Sequence, residues 1–128
     1  MYDRERRAGG LAHVLLPSSE EAVMVEAPGK FADLAVPILV EELVRLGAHP
    51  ARLIGKIAGG AQMLASPQFS NGFNVGERNV ESVKAALARC SVPLLGADTG
   101  GNRGRSLSMH LGTGRVLVRI LGERVTEL

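Results

Sequence analysis

The stretch SLSMHLGTGRVLVRIL at residues 106–121 shows the clearest periodic pattern in the chain. Apolar residues alternate with polar ones from 107 to 111, GTG at 112–114 supplies turn residues, and an apolar run returns from 115 to 121. Alternation with period two places apolar side chains on one face of a strand, so the stretch predicts a β-hairpin. A chain that ends in a hairpin favours the α+β class over a purely parallel, doubly wound sheet.

An amphipathic helix is predicted upstream, from Phe31 to Leu46, where leucine and isoleucine recur at helical spacing. We expect Asp33 to cap this helix and Gly47 to supply the left-handed residue after its end. Pro37 is expected in or near the first turn, because a proline deeper in a helix costs about 3 kcal/mol.

The remaining elements are shorter. Asn79 is expected to cap a second helix that ends near residues 89–90. Strands are predicted at Arg52 to Ala58 and at Val92 to Ala97, each followed by turn residues. No repeat or linker divides the sequence, so residues 1–128 are expected to form one domain.

The apolar run GLAHVLL at residues 10–16 predicts a buried strand that carries His13 and is closed by a Pro-Ser-Ser turn. A lone histidine in such a strand is more often a hydrogen-bonded structural residue than a general base. The residues around His13 by themselves therefore favour the structural interpretation.

Composition excludes several classes of function. Fifteen Lys and Arg against thirteen Asp and Glu leave a net charge of +2, and the chain has one Tyr, three Phe and no Trp. Neither a basic patch nor an aromatic stacking platform for nucleic acid is indicated. No apolar run approaches the roughly 18 residues that span a bilayer. The single cysteine, Cys90, fits a reducing compartment, so a cytoplasmic location is expected.

Common chemical motifs are absent as well. The glycine-rich segment at 100–104 opens a strand rather than a helix and matches neither nucleotide-binding pattern, so a phosphate site is not predicted. The three histidines and Cys90 lack metal-ligand spacing, so no metal and no cofactor are expected. Cys90 is predicted at the C-terminal end of a helix, where the helix dipole disfavours a reactive thiolate.

Five segments cover nearly the whole chain in order: GLAHVLLPSS at 10–19, KFADLAVPILVEEL at 30–43, KIAGGAQM at 56–63, GERN at 76–79 and ADTGGNRGR at 97–105. Read together, they resemble the CheD family of chemoreceptor glutamine deamidases. The resemblance implies a layered β-sheet sandwich with helices packed on one side, as in CheD-type and toxin-type deamidases.

The resemblance also implies a reaction. A cysteine thiolate attacks a receptor glutamine, ammonia leaves, and water hydrolyses the thioester, with histidine as base and then acid. The family histidine corresponds to His13. The family cysteine lies in a Gly-Ser-Cys segment on the strand before that histidine, and no such segment occurs in residues 1–128. We therefore expect the first strands to be missing, and this polypeptide alone to be inactive and marginally stable.

Further residues and partners follow from the same resemblance. Chemoreceptors are the expected protein substrate, a CheC-type phosphatase is a possible partner, and neither nucleic acid nor membrane insertion is expected. The alternative is a non-catalytic module that docks receptors or the phosphatase, with Phe69 and Phe73 as contacts. Candidate pocket or turn residues are Ser18, Gly59, Gly60, Thr99, Gly100, Gly101 and Asn102.

Overall fold

A computed structural model describes residues 1–20, 22–62, 74–120 and 122–128. Two α-helices are described, α1 at Ala32–Arg45 and α2 at Val75–Arg89. The strands are β1 Tyr2–Asp3, β2 Ala8–Gly9, β3 Leu53–Gly59, β4 Leu94–Thr99, β5 Arg105–His110, β6 Arg115–Ile120 and β7 Thr126–Glu127. Short 3₁₀ turns at Pro28–Lys30 and Pro50–Arg52 precede α1 and β3.

The strands form two sheets. The first has the order β2-β1-β3-β4, with β1 antiparallel to both neighbours and β3 parallel to β4. The second is antiparallel with the order β5-β6-β7, and β5 and β6 form the predicted hairpin. The α+β sandwich with helices on one side is confirmed.

Strand β3 shows how the layers are held together. Leu53 belongs to the core cluster that α1 and α2 complete, and Ile57 packs against it, whereas Ile54 and Lys56 border a small cavity with the second sheet. Successive side chains of a strand point to opposite faces, so β3 contacts both neighbouring layers. The Tyr2 hydroxyl donates to the Leu111 carbonyl at 2.6 Å and adds a polar link between the two sheets.

The predicted strand at residues 10–16 is wrong. Its only ladder contact among the described residues is an isolated parallel bridge between Leu16 and Phe31. Leu11 and Leu15 are 59% and 47% exposed, so the apolar run is not buried. A strand needs a neighbour to pair its backbone groups, and β2 has already ended at Gly9.

Both predicted helix caps are also wrong. Phe31 occupies the N-cap of α1 without a side-chain cap, and Pro37 lies in the second turn. Pro37 has no backbone N–H to donate within the helix. Burial of the α1 residues Ala35, Val36 and Leu43 offsets this loss. The second helix begins four residues before Asn79, and the Asn74 side chain accepts from the Glu77 backbone N–H as its cap. Gly47 has the predicted left-handed conformation, with φ of 90°.

Asp33 has a different role from the predicted cap. Its carboxylate accepts hydrogen bonds from the Ser19 backbone N–H and hydroxyl, and from the Ser18 hydroxyl at 3.4 Å. Burial would raise the pKa of Asp33, but these hydrogen bonds outweigh it and lower the pKa. The contacts fasten the 17–20 turn to the first turn of α1.

Asp3 is a buried charged residue that orders the start of the chain. Its carboxylate accepts from the backbone N–H groups of Glu5, Arg6 and His49 at 3.0, 3.1 and 2.9 Å. It also forms an ion pair with Arg52, with Nη2 and Oδ2 2.9 Å apart. The Arg52 guanidinium lowers the pKa of Asp3 well below its ordinary range, the His49 and Arg6 N–H groups add to this, and burial opposes it.

We predict that Asp3→Asn lowers the free energy of unfolding by about 3–5 kcal/mol, because the buried N–H groups and Arg52 lose a charged acceptor. Glu5→Gln is the matched control, since Glu5 contacts the same arginine at 3.2 Å but is 74% exposed. It should change stability by less than about 1 kcal/mol. Urea unfolding of both variants checks this, and equal losses would contradict it.

The Asp3 contribution should also depend on pH. Its pKa is lower in the folded state than in the unfolded chain, so its stabilisation is fully present above the ordinary carboxyl pKa of about 4. It should be lost as pH falls below that value toward the folded-state pKa. The stability difference between wild type and Asp3→Asn should therefore narrow in acid, and a difference that stays constant from neutral to acidic pH would refute the assignment.

Candidate active site

A cavity of about 180 Å³ lies between the 10–14 segment, β3 and α2. Three of the predicted site residues line it, namely His13, Gly60 and Thr99. Since one water molecule takes about 30 Å³ of liquid volume, the cavity has room for a small polar side chain and its hydration. These three residues are far apart in sequence, and the fold brings them to one cavity.

His13 is exposed and borders the cavity, so its imidazole can reach both the cavity and solvent. The segment that carries it is held at both ends. Gly10 and Met1 exchange backbone hydrogen bonds of 3.0 and 2.9 Å, and Leu16 bridges to Phe31. The histidine is not packed into the interior, as a structural histidine in a buried strand would be.

The ends of β3 and β4 meet at the cavity. The Gly100 N–H donates to the Gly59 carbonyl at 2.9 Å, which continues the contact of these parallel strands beyond their last paired residues. Gly60 has φ of 66°, and a Cβ there would lie 2.8 Å from the Gly76 carbonyl oxygen at the start of α2. Only glycine allows this close approach, so the predicted turn residue Gly60 also packs β3 against α2.

Other predicted residues lie off the cavity wall. Gly100 and Gly101 both have positive φ and form the turn after β4, and Asn102 is exposed in the following bend. Gly59 ends β3, also with positive φ. Ser18 contacts Asp33 instead. The candidates Phe69 and Phe73 lie outside the described residues.

Arg105 holds the turn after β4 in place, a role that sequence reasoning missed. Its side chain is only 9% exposed; Nε donates to Asp98 at 2.9 Å and Nη1 to the Gly100 carbonyl at 2.8 Å. The sequence did carry a signal for this role, because the opposite charges of Asp98 and Arg105 lie on either side of a glycine-rich turn. Because Thr99 lies between Asp98 and Gly100, the arginine fixes this part of the cavity wall from outside.

Helix α2 contributes a largely apolar wall formed by Val80, Val83 and Leu87. Asn79 is the polar exception among the α2 residues that line the cavity. Its Oδ1 is buried and has no hydrogen-bond partner within the described part of the chain. Sequence reasoning assigned Asn79 to capping and so missed its place at the cavity.

Cys90 does not line the cavity. It occupies the C-cap of α2, as predicted, and its partly buried side chain packs against the core cluster. Among the residues that the structure describes, no three His, Cys, Asp or Glu side chains come together as metal ligands. Neither described helix is long and apolar enough to cross a membrane.

Comparison with known proteins assigns this chain to a family. The model of the family "CheD chemotactic sensory transduction" matches residues 15–120. This chain belongs to the CheD family. It is 42% identical over 128 residues to "Probable chemoreceptor glutamine deamidase CheD" of Clostridium kluyveri, covering 100% of this chain and 79% of the relative.

Two further relatives support the same family assignment. A CheD 2 of Geobacter metallireducens bearing the same deamidase name is 45% identical over 130 residues, covering 100% of this chain and 80% of the relative. The corresponding protein of Desulforamulus reducens is 40% identical over 122 residues, covering 95% of this chain and 74% of the relative. The resemblance read from the five sequence segments is therefore confirmed at the level of the family.

We predict that Arg105→Ala lowers the free energy of unfolding by about 2–3 kcal/mol, because a nearly buried guanidinium loses charge-assisted hydrogen bonds. Arg119→Ala, at an exposed arginine of β6, is the matched control and should stay within about 0.5 kcal/mol of wild type. Guanidinium chloride unfolding measures both. Indistinguishable midpoints for the two variants would show that Arg105 does not hold the turn.

Proposed function

We propose that this CheD-family chain forms the histidine side of a site that converts chemoreceptor glutamine side chains to glutamate. The observation that carries the proposal is the exposed imidazole of His13 at a cavity large enough for a small polar side chain. The names of the relatives, chemoreceptor glutamine deamidases, supply the substrate class.

The proposed reaction has two stages. A cysteine thiolate bonds to the carbonyl carbon of the glutamine amide, and the carbon–nitrogen bond breaks when protonated His13 gives its proton to the leaving ammonia. Neutral His13 then takes a proton from water as the hydroxide adds to the thioester carbon. The carbon–sulfur bond breaks, which releases glutamate and regenerates the thiolate.

In this proposal the thiol comes from outside residues 1–128. Cys90 is the single cysteine of the sequence, and it lies at the C-cap of α2 rather than on the cavity wall. Met1 is among the residues that line the cavity. We place the thiol ahead of Met1, as the family resemblance implies, because Met1 and His13 line the same cavity.

A second proposed function is a docking module without thiol chemistry, which binds receptors or a CheC-type phosphatase. It is favoured by apolar side chains exposed on the segment before α1, of which Val23 is fully exposed and Met24 is 71% exposed. Binding of receptors by a His13→Ala variant would not separate the two proposals, because an inactive enzyme also docks. Ammonia release that depends on an added cysteine does separate them.

The test compares residues 1–128 with the same chain extended by Gly-Ser-Cys before Met1, using a purified chemoreceptor cytoplasmic fragment as substrate. We expect no ammonia from residues 1–128, and ammonia with glutamate formation, read by mass spectrometry, from the extended chain. In that chain His13→Ala should lower kcat/KM by about 10²–10⁴-fold, because the proton-transfer group is lost.

His110→Ala is the matched control, since His110 is exposed on β5 in the other sheet and should leave the rate unchanged. Ammonia release by residues 1–128 alone would overturn the assignment of an external thiol. Equal rates for His13→Ala and the unsubstituted extended chain would overturn the role of the histidine.

A further inference from the structure

Asn79 is a polar residue whose side-chain oxygen has no hydrogen-bond partner in the described part of the chain. It is the fifth residue of α2, and its buried Oδ1 accepts no hydrogen bond from the residues that the structure describes. Buried acceptors are nearly always paired in folded proteins, because losing water without gaining a partner costs free energy. Because Asn79 lines the cavity, a group that enters the cavity could supply the missing partner.

Helix capping, helix propensity and packing do not explain an asparagine at this position. The helix is already capped by Asn74, whose Oδ1 accepts from the Glu77 N–H at 3.1 Å. Asparagine is an unfavourable residue inside a helix, so propensity does not explain it. Its neighbours on the wall, Val80 and Val83, are apolar and would suit a third apolar residue better.

We propose that Asn79 recognises the carboxamide of the substrate glutamine, with Oδ1 accepting a hydrogen bond from the substrate amide N–H. The inference rests on the proposed function, because it takes the glutamine side chain as the ligand. Asn79 and His13 line the same cavity, from α2 and from the 10–14 segment respectively. Asn79 would hold the amide nitrogen, and His13 would donate the proton that this nitrogen needs to leave as ammonia.

This assignment explains how substrate and product are told apart. A glutamine side chain offers two N–H donors, whereas the glutamate product offers only carboxylate oxygens, which cannot donate to Oδ1. A site built to bond an N–H group rejects a ligand that lacks it, because the acceptor is then left unpaired. Asn79 is therefore a positioning and specificity residue, while His13 carries the proton.

Binding tests the inference without any catalysis. Residues 1–128 labelled with ¹⁵N are titrated with a pentapeptide that has a central glutamine, and with the matched peptide that has glutamate. We expect the side-chain amide resonances of Asn79 to shift with the glutamine peptide and not with the glutamate peptide. The absence of a shift with glutamine, or equal shifts with both, would overturn the role of Asn79 and leave the deamidase proposal standing.

Kinetics of the Gly-Ser-Cys-extended chain give the second readout. Asn79→Ala should lower kcat/KM for the glutamine peptide by about tenfold, and by much less for the peptide with glutamate γ-methyl ester, which has no amide N–H to recognise. Equal losses on amide and ester would mean that Asn79 only supports the fold. If the unsubstituted extended chain is inactive while the Asn79 resonances still shift, the deamidase proposal fails and amide recognition stands.

Asn74→Ala is the matched control, because it removes the cap of the same helix and not the proposed ligand contact. It should lower Tm and leave the amide-to-ester ratio of kcat/KM unchanged. Asn79→Ala should have the opposite signature, with Tm unchanged or raised because a buried unpaired group is removed. A lowered Tm together with an unchanged ratio for Asn79→Ala would assign it a structural role.

Discussion

The carboxylate of Asp3 is the contact on which the position of the first strands depends. A buried charge is tolerated only when it is paired and hydrogen-bonded, and Asp3 meets this condition through backbone N–H groups on both sides of β1 and the Arg52 guanidinium. These partners lie in the β1–β2 turn and just before β3. The pairing therefore holds β1 between β2 and β3, and it places Met1 and the 10–14 segment on the wall of the cavity.

The opposite side of the cavity depends on backbone contacts rather than charge. Parallel pairing of β3 and β4 brings the chain after Gly59 beside the chain after Thr99, and the Gly100 N–H joins the two ends. Gly60 then packs against the first turn of α2 with no space for a side chain. This close contact orients α2 so that its apolar stripe, with Asn79 at one end, closes the cavity.

Sequence reasoning succeeded where a pattern is local and failed where burial is decided at long range. The alternation in the last hairpin and the spacing of α1 predicted their elements to within a residue or two. The apolar 10–16 run predicted a buried strand, yet apolar character does not supply a pairing neighbour, and the segment is largely exposed. Asn79 was taken for a cap because asparagine is typical of caps, while Asn74 was overlooked.

The sequence by itself determined the α+β class, the two helices, the hairpin and membership of the CheD family, because these follow from periodicity and from the order of short motifs. Only the tertiary structure decided that His13, Thr99 and Asn79 border one cavity and that Cys90 does not. The reason is physical: these residues come from separate elements, and their proximity results from strand pairing, the Asp3 contacts and the close approach at Gly60. None of these long-range contacts can be read from the residues on either side of a single position.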